Sequence, residues 1–366
     1  MKKSGRTRAE TIAAEWGLRL AGVVAALILS ALVLLVLGVS PFRVAWIILS
    51  AAFGSPSGIS GVLSLWMPLL LCAAGLLFTF SAGMWNIGIE GQIAIGAVVA
   101  TGTILLLRDV LPPAAVLPLA ALGGMLGGAL WALLVGLLRL YGNVNEIFGG
   151  LGLNFLADGL ILYLVKGPWG QPGRSATSGM EPFPPALWLP ALPSWSIGPW
   201  QVPALNVSPI ELLLGLMAIV AVALALRGTH FGLRLKAIGR SLRSAFLLGV
   251  STTRHLLVSF ALCGALAGLA GWMLVVGPNT RHQLLPQISS GIGFLAILVV
   301  LLVSLNAWWA LPVTFFFAAI AKGSSLRPTM ELGLDSAVGG VIQGLLVLFI
   351  LLAQGLQNRF LQREGG

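Results

Sequence analysis

The feature that most constrains the fold is a series of long apolar runs that carry almost no charge. Most are roughly 16 to 25 residues long, and a helix needs about 20 residues to cross about 30 Å of hydrocarbon. Hydrocarbon offers the backbone no hydrogen-bond partners, so repeated runs of this length indicate helices. We predict an all-α, polytopic integral membrane protein with about ten transmembrane helices, at residues 18–39, 61–80, 92–107, 114–138, 146–165, 208–226, 255–276, 288–305, 308–321 and 336–354.

The composition excludes a water-soluble fold. Hydrophobic residues make up 58% of the chain and charged residues only 9%, whereas soluble domains carry about 25% charged residues. The formal net charge of +10 does not indicate nucleic-acid binding, because the cations lie in short loops beside apolar runs. Cys72 and Cys263 lie inside apolar runs and are predicted to be buried thiols rather than a disulfide.

The distribution of lysine and arginine predicts the orientation. With both termini in the cytoplasm, these residues are twice as frequent inside as outside, as expected for cytoplasmic loops. The first run lacks a clear cleavage site and is interpreted as an uncleaved span. The predicted organisation is a cytoplasmic N-terminal segment (1–17), a transmembrane domain (18–356) and a cytoplasmic tail (357–366).

Two loops are longer than the others. The external loop, residues 166–207, is rich in Pro and Trp, and its prolines exclude a long helix. It is interpreted either as an ordered cap at the membrane surface or as a docking face for an external protein. The cytoplasmic loop, residues 227–254, carries six cations. Its stretch Gly232 to Gly249 has the spacing of a short helix lying along the membrane face.

Two further patterns concern packing. Glycine pairs four residues apart let helix backbones approach closely, and they occur at Gly123/Gly127, Gly124/Gly128, Gly264/Gly268 and Gly340/Gly344. The apolar piece from Ala45 to Phe53 is too short to cross the membrane. It is predicted to be interfacial or re-entrant.

The sequence contains no set of residues for catalysis. A phosphate-binding Gly-x-x-x-x-Gly-Lys-[Ser/Thr] loop is missing, and the sequence has no Gly-Lys dipeptide, so the chain cannot hold ATP in that way. His230, His255 and His282 are scattered without metal-ligand spacing. We therefore predict no catalytic site, no metal site and no cofactor on this chain.

The first polar cluster in apolar surroundings runs from Asn86 to Gln92. An ionised Glu90 at the centre of a membrane helix would cost about 2.5–3.5 kcal/mol. Gly88 and Gly91 flank it and favour an interrupted helix whose free backbone groups face a cavity. The alternative is an ordinary cytoplasmic turn between two spans, and the spacing alone does not separate the two.

The second polar cluster lies at the start of the fifth run. Asn145 precedes Glu146, and Glu146, Asn154 and Asp158 recur at multiples of four residues, which places them on one helix face. Such a face is expected either to border the bundle interior or a water path, or to form hydrogen bonds between helices. Glu211 and Asp335 lie near the ends of runs and are expected to be exposed at the interface.

These motifs resemble those of a known family, the permease subunits of ABC importers for sugars, branched-chain amino acids and nucleosides. The resemblance is greatest to the nucleoside or simple-sugar branch and covers residues 60–355. It rests on Asn86-x-Gly88-x-Glu90-Gly91-Gln92, on Tyr141-Gly-Asn-Val-Asn145-Glu146 with Leu153-Asn154, and on Gly232-Leu-Arg234-x-x-Ala237-x-Gly239-Arg240. In place of the family's usual Asn-Pro after the last motif, this chain has Ser241-Leu242.

The resemblance implies a role for each motif. The pathway or gate residues would be Asn86, Glu90, Gln92, Asn145, Glu146 and Asn154. The helix that couples to the ATPase subunit would contain Gly232, Arg234, Ala237, Gly239 and Arg240. The implied partners are an ATP-binding subunit that carries ATP and Mg²⁺, a second permease chain and an external solute-binding lipoprotein, all at the bacterial cytoplasmic (inner) membrane.

The resemblance implies a nucleoside as the solute, with a ribose-type sugar as the alternative. A rival from another class is a secondary transporter driven by an ion gradient, although the chain offers few buried carboxylates for a proton or sodium relay. A membrane-embedded enzyme is a third alternative, and no visible catalytic residues favour it.

Overall fold

The computed structural model describes residues 24–325, apart from 26, 37, 171–179 and 198–199, together with isolated positions between 341 and 352. Helices dominate this part of the chain, in agreement with the predicted all-α class. They are α1 (Leu27–Val36), α2 (Pro41–Phe53), α3 (Pro56–Ser81), α4 (Ile89–Leu107), α5 (Pro113–Leu140), α6 (Glu146–Lys166), α7 (Pro209–Gly228), α8 (His230–Arg240), α9 (Leu242–Leu247), α10 (Thr252–Val276), α11 (Ile292–Leu302) and α12 (Ala307–Ser325).

Six of the described helices are long and apolar enough to cross a membrane: α3, α4, α5, α6, α7 and α10. The bent pair α1 and α2 would add a seventh span. At 11 residues, α11 is about 16 Å long and too short to cross alone. The predicted run at 336–354 and the segments 1–17 and 357–366 lie outside the described residues or nearly so, and the count of ten spans stays a prediction.

The chain divides into two units, residues 1–58 with 319–366 and residues 59–318. In the smaller unit α1 and α2 meet at an angle of 108°, and Leu34, Val44 and Ile48 form a small apolar core between them. Phe42 and Trp46 are exposed. The predicted short apolar piece thus belongs to a separate helix, α2, and its interfacial or re-entrant placement stays a prediction.

The core of the larger unit is built from α4, α5 and α10, which meet through glycines. A Cβ on Gly128 would overlap the carbonyl oxygen of Gly264, and one on Gly268 would overlap that of Gly124. Gly96 of α4 lies equally close to Gly268. The predicted close approach at Gly124/Gly128 and Gly264/Gly268 is confirmed, and Gly340 lies outside the described residues.

The described part of the loop at residues 166–207 packs onto the end of α10 and the segment that joins α10 to α11. Phe183 N–H donates to the His282 carbonyl at 2.8 Å and Leu189 N–H donates to that of Val276 at 2.9 Å. The Trp188 ring stacks on the His282 ring with centroids 3.8 Å apart, and burial there lowers the pKa of His282. A 3-10 helix (Pro185–Leu187) and a hairpin of β1 (Trp195–Ile197) and β2 (Trp200–Val202) complete its described part.

Candidate functional site

The first polar motif lies where α3 gives way to α4. Helix α3 ends at Ser81 and α4 begins at Ile89, and each is long enough to cross a membrane, so the motif lies in a turn between two candidate spans rather than in one interrupted helix. The intervening turn contains Gly83 at a φ of +75°, a conformation that side chains with a Cβ rarely adopt. Asn86 is fully buried beside this turn, as is Gln92 in the first turns of α4.

Asn86 and Gln92 form a closed pair of side-chain amides. The Asn86 amide nitrogen donates to the Gln92 oxygen at 3.1 Å, and the Gln92 nitrogen donates to the Asn86 oxygen at 2.9 Å. The Asn86 nitrogen also lies 3.1 Å from Cys263 Sγ on α10. Two fully buried amides are thereby satisfied without water, and the turn is fastened to α10.

Asn154 joins the same turn to α6. Its side-chain oxygen accepts from the Gly91 N–H at 2.8 Å and its nitrogen donates to the Ile87 carbonyl at 3.0 Å. Gly91 N–H belongs to the first turn of α4, where backbone donors have no partner within their own helix. Asn154 thus supplies from another helix the capping that the Gly88 N-cap position cannot provide.

Glu90 performs the corresponding task for α11. Its Oε1 accepts from the Phe294 N–H at 3.0 Å, and the Gly293 N–H and the Ser289 side chain are further partners. Gly293 and Phe294 lie in the first turn of α11, whose N-cap residue Gly291 offers no side chain. A carboxylate is favourable at a helix N-terminus because the helix dipole is positive there. Glu90 therefore holds the start of a short helix 204 residues away.

The second motif is more local in its bonding. Asn145 is the N-cap of α6, and its Oδ1 accepts from the Ile147 N–H at 2.9 Å. Glu146 Oε2 lies 3.0 Å from Arg139 Nε at the end of α5. This ion pair closes the α5–α6 turn. It was not predicted, since no spacing rule links positions seven residues apart across a helix break.

The predicted site residues therefore fall into two groups. Asn86, Glu90, Gln92 and Asn154 meet around the start of α4, and we call them the α4 cluster. Asn145 and Glu146 stay at the start of α6. For Asp158 the expectation of a place in the bundle interior is wrong, and its place on a water path stays a prediction. Glu146 and Asn154 are buried and Asp158 is exposed, because a spacing of four residues drifts around a helix of 3.6 residues per turn.

The expectation for Glu211 is also wrong. It is 2% exposed and forms a capping box with Ser208 at the start of α7. The spacing Ser208-x-x-Glu211 is a known signal for such a box and could have identified it. Asp335 lies outside the described residues.

The basic stretch at residues 227–254 forms the predicted short helix, as α8 followed by α9. Thr229 caps α8, and its Oγ1 accepts from the Gly232 N–H at 3.2 Å. Leu235 and Ile238 are buried, whereas Arg234 and Arg240 are exposed. Helix α8 thus has one packed face and one exposed face that carries the cations, and Ala237 is half-buried.

The end of α8 rests directly on the turn that leads into the α4 cluster. A Cβ on Gly239 would overlap the Ser81 carbonyl oxygen and would lie 3.2 Å from the Gly83 nitrogen. The Phe231 ring, at the other end of α8, packs against Phe78 near the end of α3 and against His255 of α10. Helix α8, the α3–α4 turn, the α4 cluster and the start of α11 therefore form one continuous set of contacts.

This arrangement of membrane-spanning helices, a buried polar cluster and a basic helix between two candidate spans is that of a multi-pass membrane transport subunit. Residues 58–351 match the family model described as the branched-chain amino acid transport system permease component. The chain belongs to this family of ABC transporter permeases.

Several characterised relatives cover most of the chain. It is 31% identical over 332 residues to the glucose ABC transporter permease protein TsgB13 of Haloferax volcanii, an alignment that covers 91% of this chain and 86% of the relative. It is 26% identical to the guanosine ABC transporter permease protein NupP of Bacillus subtilis, over 77% of this chain and 78% of NupP. It is 26% identical to the nucleoside ABC transporter permease protein NupB of Lactococcus lactis, over 82% and 80% of the two chains.

Membership of this family corroborates the predicted class. ABC permeases are the membrane-spanning subunits rather than the ATPases, and they work with an ATP-binding subunit and a solute-binding protein. The interpretation as an ion-coupled secondary transporter finds no support among these relatives.

Proposed function

We propose that this chain is the permease subunit of an ABC importer that moves a nucleoside into the cell by alternating access. The observation that carries the proposal is the continuous set of contacts from the cationic face of α8 to the α4 cluster and α11. These contacts connect the cationic face of α8, where a partner subunit can bind, with polar groups at the ends of the spans. The guanosine and nucleoside permeases among the relatives support the choice of solute.

A sugar is the second candidate solute. The glucose permease TsgB13 is 31% identical to this chain over 91% of its length. NupP and NupB are each 26% identical to this chain. Nucleosides and sugars both carry several hydroxyl groups on a sugar ring, and side-chain amides and carboxylates can bind such groups with two or more hydrogen bonds.

On this proposal the ATP-binding subunit binds α8, the helix that contains Gly232, Arg234, Ala237, Gly239 and Arg240, through its exposed cationic face. ATP and Mg²⁺ bind to that partner, which performs the hydrolysis, and this chain carries no cofactor. A displacement of α8 would move the α3–α4 turn through the Gly239 contact. Because Glu90 and Asn154 bind that region to α11 and α6, the displacement would reach both helices and favour one of two packings of the bundle.

The pathway or gate residues of the proposal are Asn86, Glu90, Gln92, Asn145, Glu146 and Asn154. In the packing seen here the α4 cluster is buried and internally bonded, as a closed gate would be. In the alternate packing its amide and carboxylate groups would exchange these bonds for bonds to solute and water.

The remaining parts of the proposal concern assembly and location. A second permease chain, identical or homologous, would complete the pathway. An external lipoprotein would deliver the solute to the loop at 166–207. The complex would lie in a bacterial cytoplasmic membrane with both termini of this chain in the cytoplasm.

The test is to purify the tagged chain from its native host and identify what accompanies it. We expect a P-loop ATPase, a second permease and a solute-binding lipoprotein. After reconstitution with the binding protein, guanosine should stimulate ATP hydrolysis more than glucose does. Stimulation by glucose alone would replace the nucleoside with a sugar. Uptake that follows an ion gradient and needs no ATPase would refute the importer itself.

A further inference from the structure

Asp158 occupies an unusual place on α6. In the sequences of the six candidate spans, it is the one Asp, Glu, Lys or Arg that lies more than two turns from either end of its helix. It precedes Lys166 by eight residues, which places it about 12 Å from the external end of α6. Its side chain is exposed on the surface of this chain.

The face of α6 around Asp158 is largely exposed. Only 22% of the apolar stretch of α6 is buried, against 72% for α4. Gly152 and Gly159 have nothing within 4 Å of where a Cβ would stand, and Phe148 and Phe155 are about 70% exposed. These four positions recur at helical spacing and share one outward face, with Asp158 at its edge. We call this the outer face of α6.

A carboxylate at this depth is costly against lipid, so acidic residues within spans border a polar partner or a water-filled cavity. Exposed glycines give no advantage in packing against lipid tails. On a membrane helix they let a second helix approach closely. The outer face of α6 thus combines glycines that suit contact with another helix and an acidic residue that suits an aqueous space.

We infer that the second permease chain closes against the outer face of α6, and that Asp158 lines the solute path between the two chains. This inference rests on the proposed function. Asp158 accepts hydrogen bonds from the hydroxyl groups of a neutral polyhydroxylated solute. Phe155, three residues earlier on the same side of the helix, offers a ring against which a nucleobase or the apolar face of a sugar ring can stack.

The first experiment measures access of water to Asp158 in membranes that contain the assembled transporter. The Asp158→Cys variant is treated with a charged, water-soluble methanethiosulfonate reagent. Met217→Cys on α7 is the matched control, because Met217 is 57% exposed and lies eight residues from the external end of its helix. We expect modification of Asp158→Cys at least about ten times faster than of Met217→Cys, and slower in the presence of solute. Equal rates would overturn the inference.

The second experiment locates the partner chain. A photoreactive amino acid at Gly152 should give a crosslinked product with the mass of two permease chains, and one at Met217 should not. Adducts at Met217 and none at Gly152 would assign the interface to another face of the molecule and overturn the inference.

The third experiment tests the role of the carboxylate in transport. Asp158→Leu should lower solute uptake at least about tenfold, as expected for loss of a hydrogen bond to a charged group, and Asp158→Asn should retain more uptake. If Asp158 faced lipid, Asp158→Leu would instead raise the thermal stability of the complex with uptake unchanged. Failure of the proposed function would abolish uptake in the wild type, whereas the labelling and crosslinking outcomes do not depend on uptake.

Discussion

Two helices of this protein begin with the same residue types and use them differently. At the start of α4, Asn86 and Glu90 bond to α10 and α11. At the start of α6, Asn145 caps its own helix and Glu146 pairs with the neighbouring end of α5. Asparagine and glutamate in a membrane protein can therefore serve either long-range or local bonding. The α4 cluster joins elements that the chain separates widely, so it is the better place to transmit motion.

The largest loss of uptake is expected when α8 can no longer bind the ATP-binding subunit, because motion would then not reach the α4 cluster. Reversing the charge of Arg234 and Arg240 together, as Arg234→Glu with Arg240→Glu, should abolish uptake, since both side chains are exposed on α8. Insertion into the membrane should be unchanged. The pair Arg234→Lys with Arg240→Lys keeps the charge and should retain part of the uptake. Wild-type uptake by the double glutamate variant would remove α8 from the coupling mechanism.

The next largest effect is expected at the carboxylate that holds α11. Glu90→Ala leaves buried N–H groups of α11 without an acceptor, which costs about 1–3 kcal/mol for each. Uptake should fall at least about tenfold while the ATPase subunit still co-purifies. Glu90→Gln keeps an acceptor oxygen and should be milder. If Glu90→Ala transported normally, the long-range bonding at α4 would be structural detail without a part in transport.

A smaller loss is expected from the contact between α8 and the α3–α4 turn. Gly239→Ala adds a Cβ where the Ser81 carbonyl lies, so α8 must shift away from the turn. We expect ATPase activity to persist with several-fold less uptake per ATP hydrolysed. Gly228→Ala is the control on the same side of the membrane, because nothing lies within 4 Å of its Cβ position. Equal transport ratios in the two variants would contradict transmission through Gly239.

The smallest loss of uptake and stability is expected at the start of α6, where the hydrogen bonding is local. Asn145→Ala removes an N-cap worth about 1 kcal/mol, which corresponds to at most about a fivefold change in a folding or conformational equilibrium. Asn145→Asp should restore the cap. Uptake and thermal stability measured together separate the two groups of residues. A loss at Asn145 as large as that at Glu90 would show that the two helix starts are equivalent after all.

The sequence predicted the features that depend on short stretches of chain. The membrane helices follow from local hydrophobicity, and the close packing of α5 and α10 follows from Gly124/Gly128 and Gly264/Gly268. The spacing of the glycines near Glu90 did not separate an interrupted helix from the turn between two spans that is found there. The sequence did not predict which groups the buried polar side chains bind. Nothing near Glu90 indicates that its carboxylate binds α11, because that contact depends on how the whole bundle closes.

The errors have a similar cause. Ideal spacing placed Asp158 on one face with Glu146 and Asn154, of which only those two are buried, and Glu211 was expected to be exposed because it lies near a helix end. Which side of a membrane helix is buried depends on its neighbours, and hydropathy does not distinguish lipid from protein as surroundings.

The glycine contacts among α4, α5 and α10 have a consequence for how such a transporter can change over time. With backbones already touching, any added methyl group there would force helices apart, so this trio is closed to variation in side-chain size. The three helices are therefore expected to move as one unit, and new solute preferences are expected at positions outside the glycine contacts, such as the start of α4 where Glu90 and Gln92 lie.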